Sequence, residues 1–250
     1  MAENDGKRVA VVTGASSGIG AATARRLHAE GFDLVLGARR VEKLREVAGP
    51  LDAQAIELDV RDPASVEAFA AQIPRCGVLV NNAGGALGLE SIADADEDHW
   101  RQMWESNVLG LMLVTRALLP KLEASGSGHV VNIGSIAGFE TYPGGSGYTS
   151  VKHAVRAITR TLRIELLGKP VRVTEIDPGM VETEFSLVRF DGDEARADKV
   201  YEGMTPLTAD DIADCIAWAV TRPPHVNIDE LVVRPLAQAT ATQVARGAWL

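Results

Sequence analysis

The sequence predicts an α/β fold: a mostly parallel sheet of about seven strands with helices on both faces. Three observations lead there. Short apolar runs of strand length alternate with longer amphipathic runs along the whole chain. The apolar runs read as buried strands, as in a sheet covered on both sides. No linker, repeat or low-complexity tract divides the 250 residues, so residues 1–250 read as a single domain, long enough to bury a large core.

The elements follow in order. RVAVVTG is the first buried strand, and AATARRLHAEG is a helix closed by Gly31. FDLVLGA is the second strand, followed by the helical VEKLREVA. AQAIELDV is the third, after which Asp62-Pro63 opens a helix, since proline is favoured in a first turn. GVLVNNAG is the fourth strand, and residues 98–124 form one long helix. HVVNIGS is the fifth, followed by a second long helix over 148–168. VRVTEIDPG is the sixth strand, LTADDIADCIAWAVT a helix capped by Thr208, and ELVVRP a seventh strand.

Composition excludes some functions. The net charge of −9 leaves no basic stripe for a nucleic acid. Cys76 and Cys215 stand far apart without CxxC neighbours, so no metal site and a reduced, cytoplasmic setting are expected. The polar amino terminus has no signal-like apolar region, and no run is long enough to span a membrane.

Between the first strand and first helix stands TGASSGIG, from Thr13 to Gly20, with Gly14, Gly18 and Gly20 around Ser16, Ser17 and Ile19. A glycine-rich turn at a helix amino terminus lets the backbone approach a pyrophosphate; the bland alternative is a plain turn of small residues. At the end of the second strand, where a carboxylate meets a ribose 2′-hydroxyl, the chain has LGARR. Arg39 and Arg40 suit a 2′-phosphate and point to NADP, although Arg40 reads equally as a solvated helix-start residue. In GYTSVKHAV, Tyr148 precedes Lys152 by one helical turn. A nearby ammonium lowers a phenol's pKa and makes it a usable acid.

With TGASSGIG, NNAG, Asn107, Ser135, YTSVK and DPGMVET in this order, the chain resembles the short-chain dehydrogenase/reductase family over essentially its whole length. The resemblance implies a doubly wound Rossmann sheet of seven strands and nicotinamide-dependent oxidation of alcohols or reduction of carbonyls. It implies that Tyr148 is the general acid or base, that Lys152 lowers its pKa and binds the nicotinamide ribose, and that Ser135 hydrogen-bonds the carbonyl. Asn107 would hold a water linking Lys152 to solvent. Asp59 and Val60 would contact adenine, and Asn82, Ala83 and Gly84 would line the cofactor. Pro178, Gly179, Val181 and Thr183 would wrap the carboxamide.

VETEFSLVRFDGD, PHVNIDELVVRPLAQA and NIGSIAG resemble the NADP-dependent 3-hydroxy acid dehydrogenase branch, whose substrates are of the serine, allo-threonine and 3-hydroxypropionate type. RPLAQ stands where 3-oxoacyl-carrier-protein reductases carry an aspartate and two glycines. Two alternatives stay open: a broad aldehyde or ketone reductase, and an NADP-binding sensor without turnover. The family also implies a homotetramer, and the nearly continuous Leu109, Leu111, Met112 and Leu113 suit a buried helix face. Within SLVRFDGD the only cation is Arg189. It would anchor a substrate carboxylate, unless it pairs with Asp191, Asp193 or Glu194.

Overall fold

The computed structural model describes residues 8–247. The polar run at residues 1–7, part of the segment read as lacking a signal region, lies outside the described residues. Seven strands form one sheet in the order β3-β2-β1-β4-β5-β6-β7. They are β1 (Val9–Thr13), β2 (Asp33–Ala38), β3 (Gln54–Glu57), β4 (Val78–Asn81), β5 (Gly128–Ile133), β6 (Val171–Pro178) and β7 (Glu230–Val233). Every neighbouring pair is parallel. The order reverses between β1 and β4, which opens a crevice at the carboxyl ends of the strands where such sheets bind ligands.

Alternate residues of each strand feed two cores. On one face Val12, Leu36, Val80 and Val131 meet Leu27 of α1 (Gly18–Ala29), Leu44 of α2 (Val41–Ala48) and Ile216 of a late helix. On the other, Val11, Val35, Leu79 and Val130 meet Phe69 of α3 (Pro63–Ala71) and Leu118 and Leu122 of a long helix. Side chains such as these each stabilise the fold by about 1.5–3 kcal/mol when fully buried. The Asp62 carboxylate accepts from Ala64 N–H at the start of α3, so the Asp62-Pro63 start stands as expected.

The long helix expected over 98–124 is broken in its middle. It comprises α4 (Glu97–Trp104), a π-helical turn at Glu105–Leu109 and α5 (Gly110–Ala124). The cause is Asn107, whose Nδ2 donates to Met103 O at 2.8 Å and to Gly85 O at 2.9 Å. The side chain thereby takes the carbonyl that a regular helix offers its backbone, and the hydrogen-bond ladder widens by one residue. The apolar run also divides: Leu111 is buried, while Leu109 and Met112 are exposed.

The second long helix, α6 (Ser146–Glu165), follows β5. After β6 come two short helices that the apolar pattern did not indicate, α7 (Glu184–Arg189) and α8 (Glu194–Tyr201). Ser186 Oγ and the Tyr201 hydroxyl lie 2.8 Å apart, and that hydroxyl donates to Val181 O at 2.8 Å, tying the two helices to the end of β6. The last helix, α9 (Ala209–Val220), begins with Thr208 and Asp211 in a capping box, which satisfies two otherwise orphaned amides. No helix among the described residues is long and apolar enough to cross a membrane.

Candidate active site

The glycine-rich loop sits at the crevice, held from β4. Thr13 Oγ1 accepts from the N–H groups of Asn82 and Ala83, both at 3.0 Å. Asn82 Nδ2 donates to Thr13 O at 3.0 Å and Gly14 O at 3.2 Å. Gly14 has φ +64°, and a Cβ there would lie 2.9 Å from both Ala83 Cα and Asn82 Nδ2. A positive φ and a close approach together require glycine. The turn leaves Ser16, Ser17, Gly18, Ile19 and Gly20 at the amino terminus of α1, where backbone amides favour an anion.

Arg40 closes this cradle. Its guanidinium donates to Ser17 Oγ at 2.6 Å and Ser16 Oγ at 3.3 Å, and pairs with Glu184 at 2.8 Å. Arg40 and Lys43 hold the Glu184 carboxyl down to about 2. Arg39 is exposed, with no hydrogen bond or ion pair among the described residues; its charge is felt by Asp59. The arginine engaged with the loop is therefore Arg40, and Arg39, expected at the 2′-phosphate, stands exposed beside it. The donor set of two hydroxyls, helix amides and a guanidinium fits a phosphate-bearing dinucleotide. Asp59 pairs with Arg61 at 2.7 Å, which lowers its pKa, and Val60 beside it is buried.

Tyr148 and Lys152 share one face of α6, and Ser135 meets them from the end of β5 as the resemblance implies. Lys152 Nζ lies 5.7 Å from the Tyr148 ring centroid and donates to Ile133 O at 2.9 Å. Ser135 caps the turn after β5: its Oγ accepts from Ala137 N–H and lies 3.4 Å from Pro178 O. Its backbone N–H donates to Asp177 at 2.9 Å. The charges differ from the simple expectation. Burial pushes the Tyr148 phenol above its ordinary value, with Ser135 and Arg189 acting the other way. Burial also lowers Lys152 to about 8, opposed by Glu175 and Asp177. In this arrangement desolvation outweighs the Ser135 hydroxyl and the Arg189 guanidinium, and the phenol is held neutral at pH 7.

Asn107 is 3% exposed. Besides donating to Met103, Gly85 and Ser106, it accepts at Oδ1 from Gly85 N–H at 3.2 Å. Its amide thus orders the chain after Gly84 and sets the π turn. Beyond β6, Gly179 N–H donates to Val233 O at 2.7 Å. Val181 is buried and bridges Leu207. Thr183 caps α7 by accepting from Phe185 N–H.

Arg189 ends α7 and points into the site. Its Nε donates to Gly88 O at 3.0 Å and its Nη1 to the Tyr142 hydroxyl at 3.2 Å. The guanidinium lies 5.8 Å from the Tyr148 ring centroid and 5.6 Å from that of Tyr142. Among the described residues it has no carboxylate partner; Asp193 instead caps α8 through Arg196 N–H. The expected alternative, local pairing with Asp191, Asp193 or Glu194, does not occur.

A family model of the short chain dehydrogenases matches residues 8–193. The chain belongs to the short-chain dehydrogenase family. This dehydrogenase is 62% identical to an uncharacterized oxidoreductase of Mycobacterium tuberculosis, over 96% of this chain and 95% of the relative. It is 46% identical to a sulfoacetaldehyde reductase of Chromohalobacter salexigens, over 91% and 94%. To an NADP-dependent 3-hydroxy acid dehydrogenase of Schizosaccharomyces pombe it is 42% identical, over 98% and 99%. The solved closed form of a serine dehydrogenase complexed with NADP+ superposes with a TM-score of 0.91 at 40% identity, covering 95% of this chain and 99% of that one.

The dehydrogenase site also contains residues that the sequence reading passed over. Tyr142 and Glu184 hold the two arginines just described. Glu175 and Asp177 lie buried beneath Lys152, and their signal was two acids at alternate positions of a buried strand.

Proposed function

We propose that the protein is an NADP-dependent oxidoreductase that passes a hydride between NADP(H) and the 3-hydroxyl or 3-carbonyl of a small hydroxy acid of the serine, allo-threonine or 3-hydroxypropionate type. The observation that carries the acid is Arg189: a half-buried guanidinium beside the Tyr148 ring, facing no carboxylate among the described residues. A buried charge without a counter-charge is costly, and a substrate carboxylate supplies one. The 3-hydroxy acid dehydrogenase and the NADP+-bound serine dehydrogenase support the same reading. The sulfoacetaldehyde reductase favours a second one, a sulfonated aldehyde as substrate, since a sulfonate also meets a planar guanidinium.

Residues from the glycine-rich loop, namely Gly14, Ser16, Ser17, Gly18, Ile19 and Gly20, hold the pyrophosphate, and Arg40 with Arg39 the 2′-phosphate. Asp59 and Val60 flank the adenine. Asn82, Ala83 and Gly84 line the middle of the cofactor, and Pro178, Gly179, Val181 and Thr183 the nicotinamide end. The bound cofactor supplies or accepts the hydride. Tyr148 gives the carbonyl oxygen its proton in reduction and takes it back in oxidation. Ser135 donates a hydrogen bond to the charge developing on that oxygen. Lys152 supplies positive charge beneath the phenol and binds the ribose. Asn107 keeps the helix open beside them. The subunits assemble as a homotetramer through the exposed apolar side of the Leu109–Met112 segment, which light scattering on the purified protein checks.

A panel of serine, allo-threonine, 3-hydroxyisobutyrate, 3-hydroxypropionate, sulfoacetaldehyde and neutral alcohols or aldehydes of like size tests the substrate class. Arg189→Ala is expected to raise KM for the acids by tenfold or more, about 1.4 kcal/mol, and to spare the neutral compounds. Equal loss on both classes puts the anion contact elsewhere. Arg40→Ala is expected to weaken NADPH binding by roughly tenfold, the scale of a charge-assisted contact, while NADH affinity stays constant. Calorimetric titration of both cofactors reads this, and a parallel change in the two removes Arg40 from 2′-phosphate recognition.

A further inference from the structure

Glu175 and Asp177 are two residues apart in β6, so strand alternation sends both side chains to the same face, the one covered by α6. They are 1% and 0% exposed. The residue just after β5 makes room for them: a Cβ at Gly134 would collide with Asp177 Oδ1 and lie 2.6 Å from Glu175 Oε1. Two ionised carboxylates so close, away from water, repel each other and favour a state in which one keeps its proton.

The groups around the pair balance that state. From α6, Lys152 and Arg156 face it one helical turn apart, with Tyr148 a turn earlier. Arg156 Nη1 lies 3.9 Å from Asp177 Oδ2, and its Nη2 donates to Glu230 of β7 at 2.7 Å. Arg160 reaches Glu230 as well, at 3.3 Å. Across β5, Asn132 and Ile133 sit in register with Glu175 and Ile176 and carry no charge. Arg156 and Arg160 thus spend much of their charge on Glu230, and Lys152 is left to the pair. Asp177 Oδ1 holds the Ser135 N–H at 2.9 Å. Glu175 Oε1 and Asp177 Oδ2 have no hydrogen-bond partner among the described residues.

We propose that Glu175 and Asp177 are positioning residues beneath the reaction centre: sharing one proton, they present a single negative charge that keeps Lys152 an ammonium and fixes Ser135, and so set the pH range in which Tyr148 works. Burial raises both carboxyls and lowers Lys152 to about 8, so the three titrate near one another and the charge of the pair decides when Lys152 loses its proton. The proposal rests on the reading of Tyr148, Lys152 and Ser135 as the reaction centre.

Asp177→Asn and Glu175→Gln test it in the full chain. Asparagine keeps an acceptor for Ser135 and removes one carboxylate, and the double variant Asp177→Asn/Glu175→Gln deletes the charge that Glu175 would otherwise restore by ionising in its place. In the double variant the alkaline limb of the kcat profile for reduction is expected to move down by about one pH unit, a tenfold change in Lys152 protonation. In Glu175→Gln, which imitates the protonated partner, the limb is expected to move less than half as far. The second readout is thermal unfolding of the protein without cofactor, from pH 5 to 8. A carboxyl whose folded pKa is raised stabilises fully below its unfolded value and loses that contribution as pH rises through its folded value. Wild-type Tm is therefore expected to fall relative to Glu175→Gln as pH rises. Limbs that superimpose on wild type, or a Tm difference independent of pH, overturn the pair's role, and the Glu175→Gln comparison decides even if Asp177→Asn does not fold. Absence of wild-type turnover with NADPH on every small carbonyl overturns the proposed function instead, and the unfolding comparison still judges the pair.

Discussion

Replacing Tyr148 by phenylalanine is expected to lower kcat by roughly 10²–10⁴-fold, the range of a general acid–base contribution. The substitution isolates the hydroxyl. The ring meets Phe185 edge to face at 5.5 Å, and Arg189 and Lys152 lie 5.8 and 5.7 Å from its centroid. Phenylalanine keeps all three contacts, so the fold and the glycine-rich loop stay as they are. What goes is the proton donor, and with it the Ser135 hydroxyl's influence in lowering the phenol's pKa. NADPH affinity, read by titration, is expected to change by only a few fold. The wild-type enzyme should also show a directional pH dependence. Burial holds the phenol neutral, the form that donates a proton in reduction, so reduction should run at pH 7 and decline in alkali. Oxidation needs the phenolate and should accelerate over the same range. A Tyr148→Phe protein with more than a tenth of wild-type kcat would remove Tyr148 from the proton transfer.

The sheet was legible because parallel strands covered on both faces must be apolar on both sides, and such runs stand out against amphipathic helices. Helix starts at Asp62-Pro63 and Thr208 were legible because capping is local chemistry. The break at Asn107 was not: it depends on Gly85, twenty-two residues away in sequence, receiving the side chain. The two short helices after β6 lack a periodic apolar face of useful length, and they are held by the Ser186, Tyr201 and Val181 contacts instead. Arg189 shows the same limit from the other side. Its sequence neighbours are acidic, and local pairing was a fair alternative, but the turn at Asp191, with φ +52°, ends α7 and leaves the guanidinium facing Tyr142 and Tyr148. Glu175 and Asp177 were hidden by their setting, because a strand pattern says which side a residue faces and not what lies across from it.

Lys152→Ala is expected to damage rate, cofactor binding and stability together, because one buried ammonium serves all three. Lys152 is 7% exposed, bonded to Ile133 O and faced by Glu175 and Asp177. Its loss leaves those carboxyls with Arg156 alone, whose nearer nitrogen is 3.9 Å from Asp177. Removing one partner from a buried ionic group costs about 3–5 kcal/mol. Uptake of a further proton by the pair offsets part of that, so the lower end, about 3 kcal/mol, is the expected loss. For a chain of this size that is a fall in Tm of about 6–12 °C. The loss should grow with pH between 5 and 8, because the carboxyls left behind become harder to keep neutral. Activity is expected to fall by 10²-fold or more, since the proton transfer loses its supporting charge, and NADPH affinity falls with it. Lys152→Met separates these effects. It refills the volume without the charge, so it should recover part of the Tm and none of the rate. Recovery of activity by methionine would mean that Lys152 acts by packing, and a loss of NADPH affinity with an unmoved pH–rate profile would leave it only the ribose to bind.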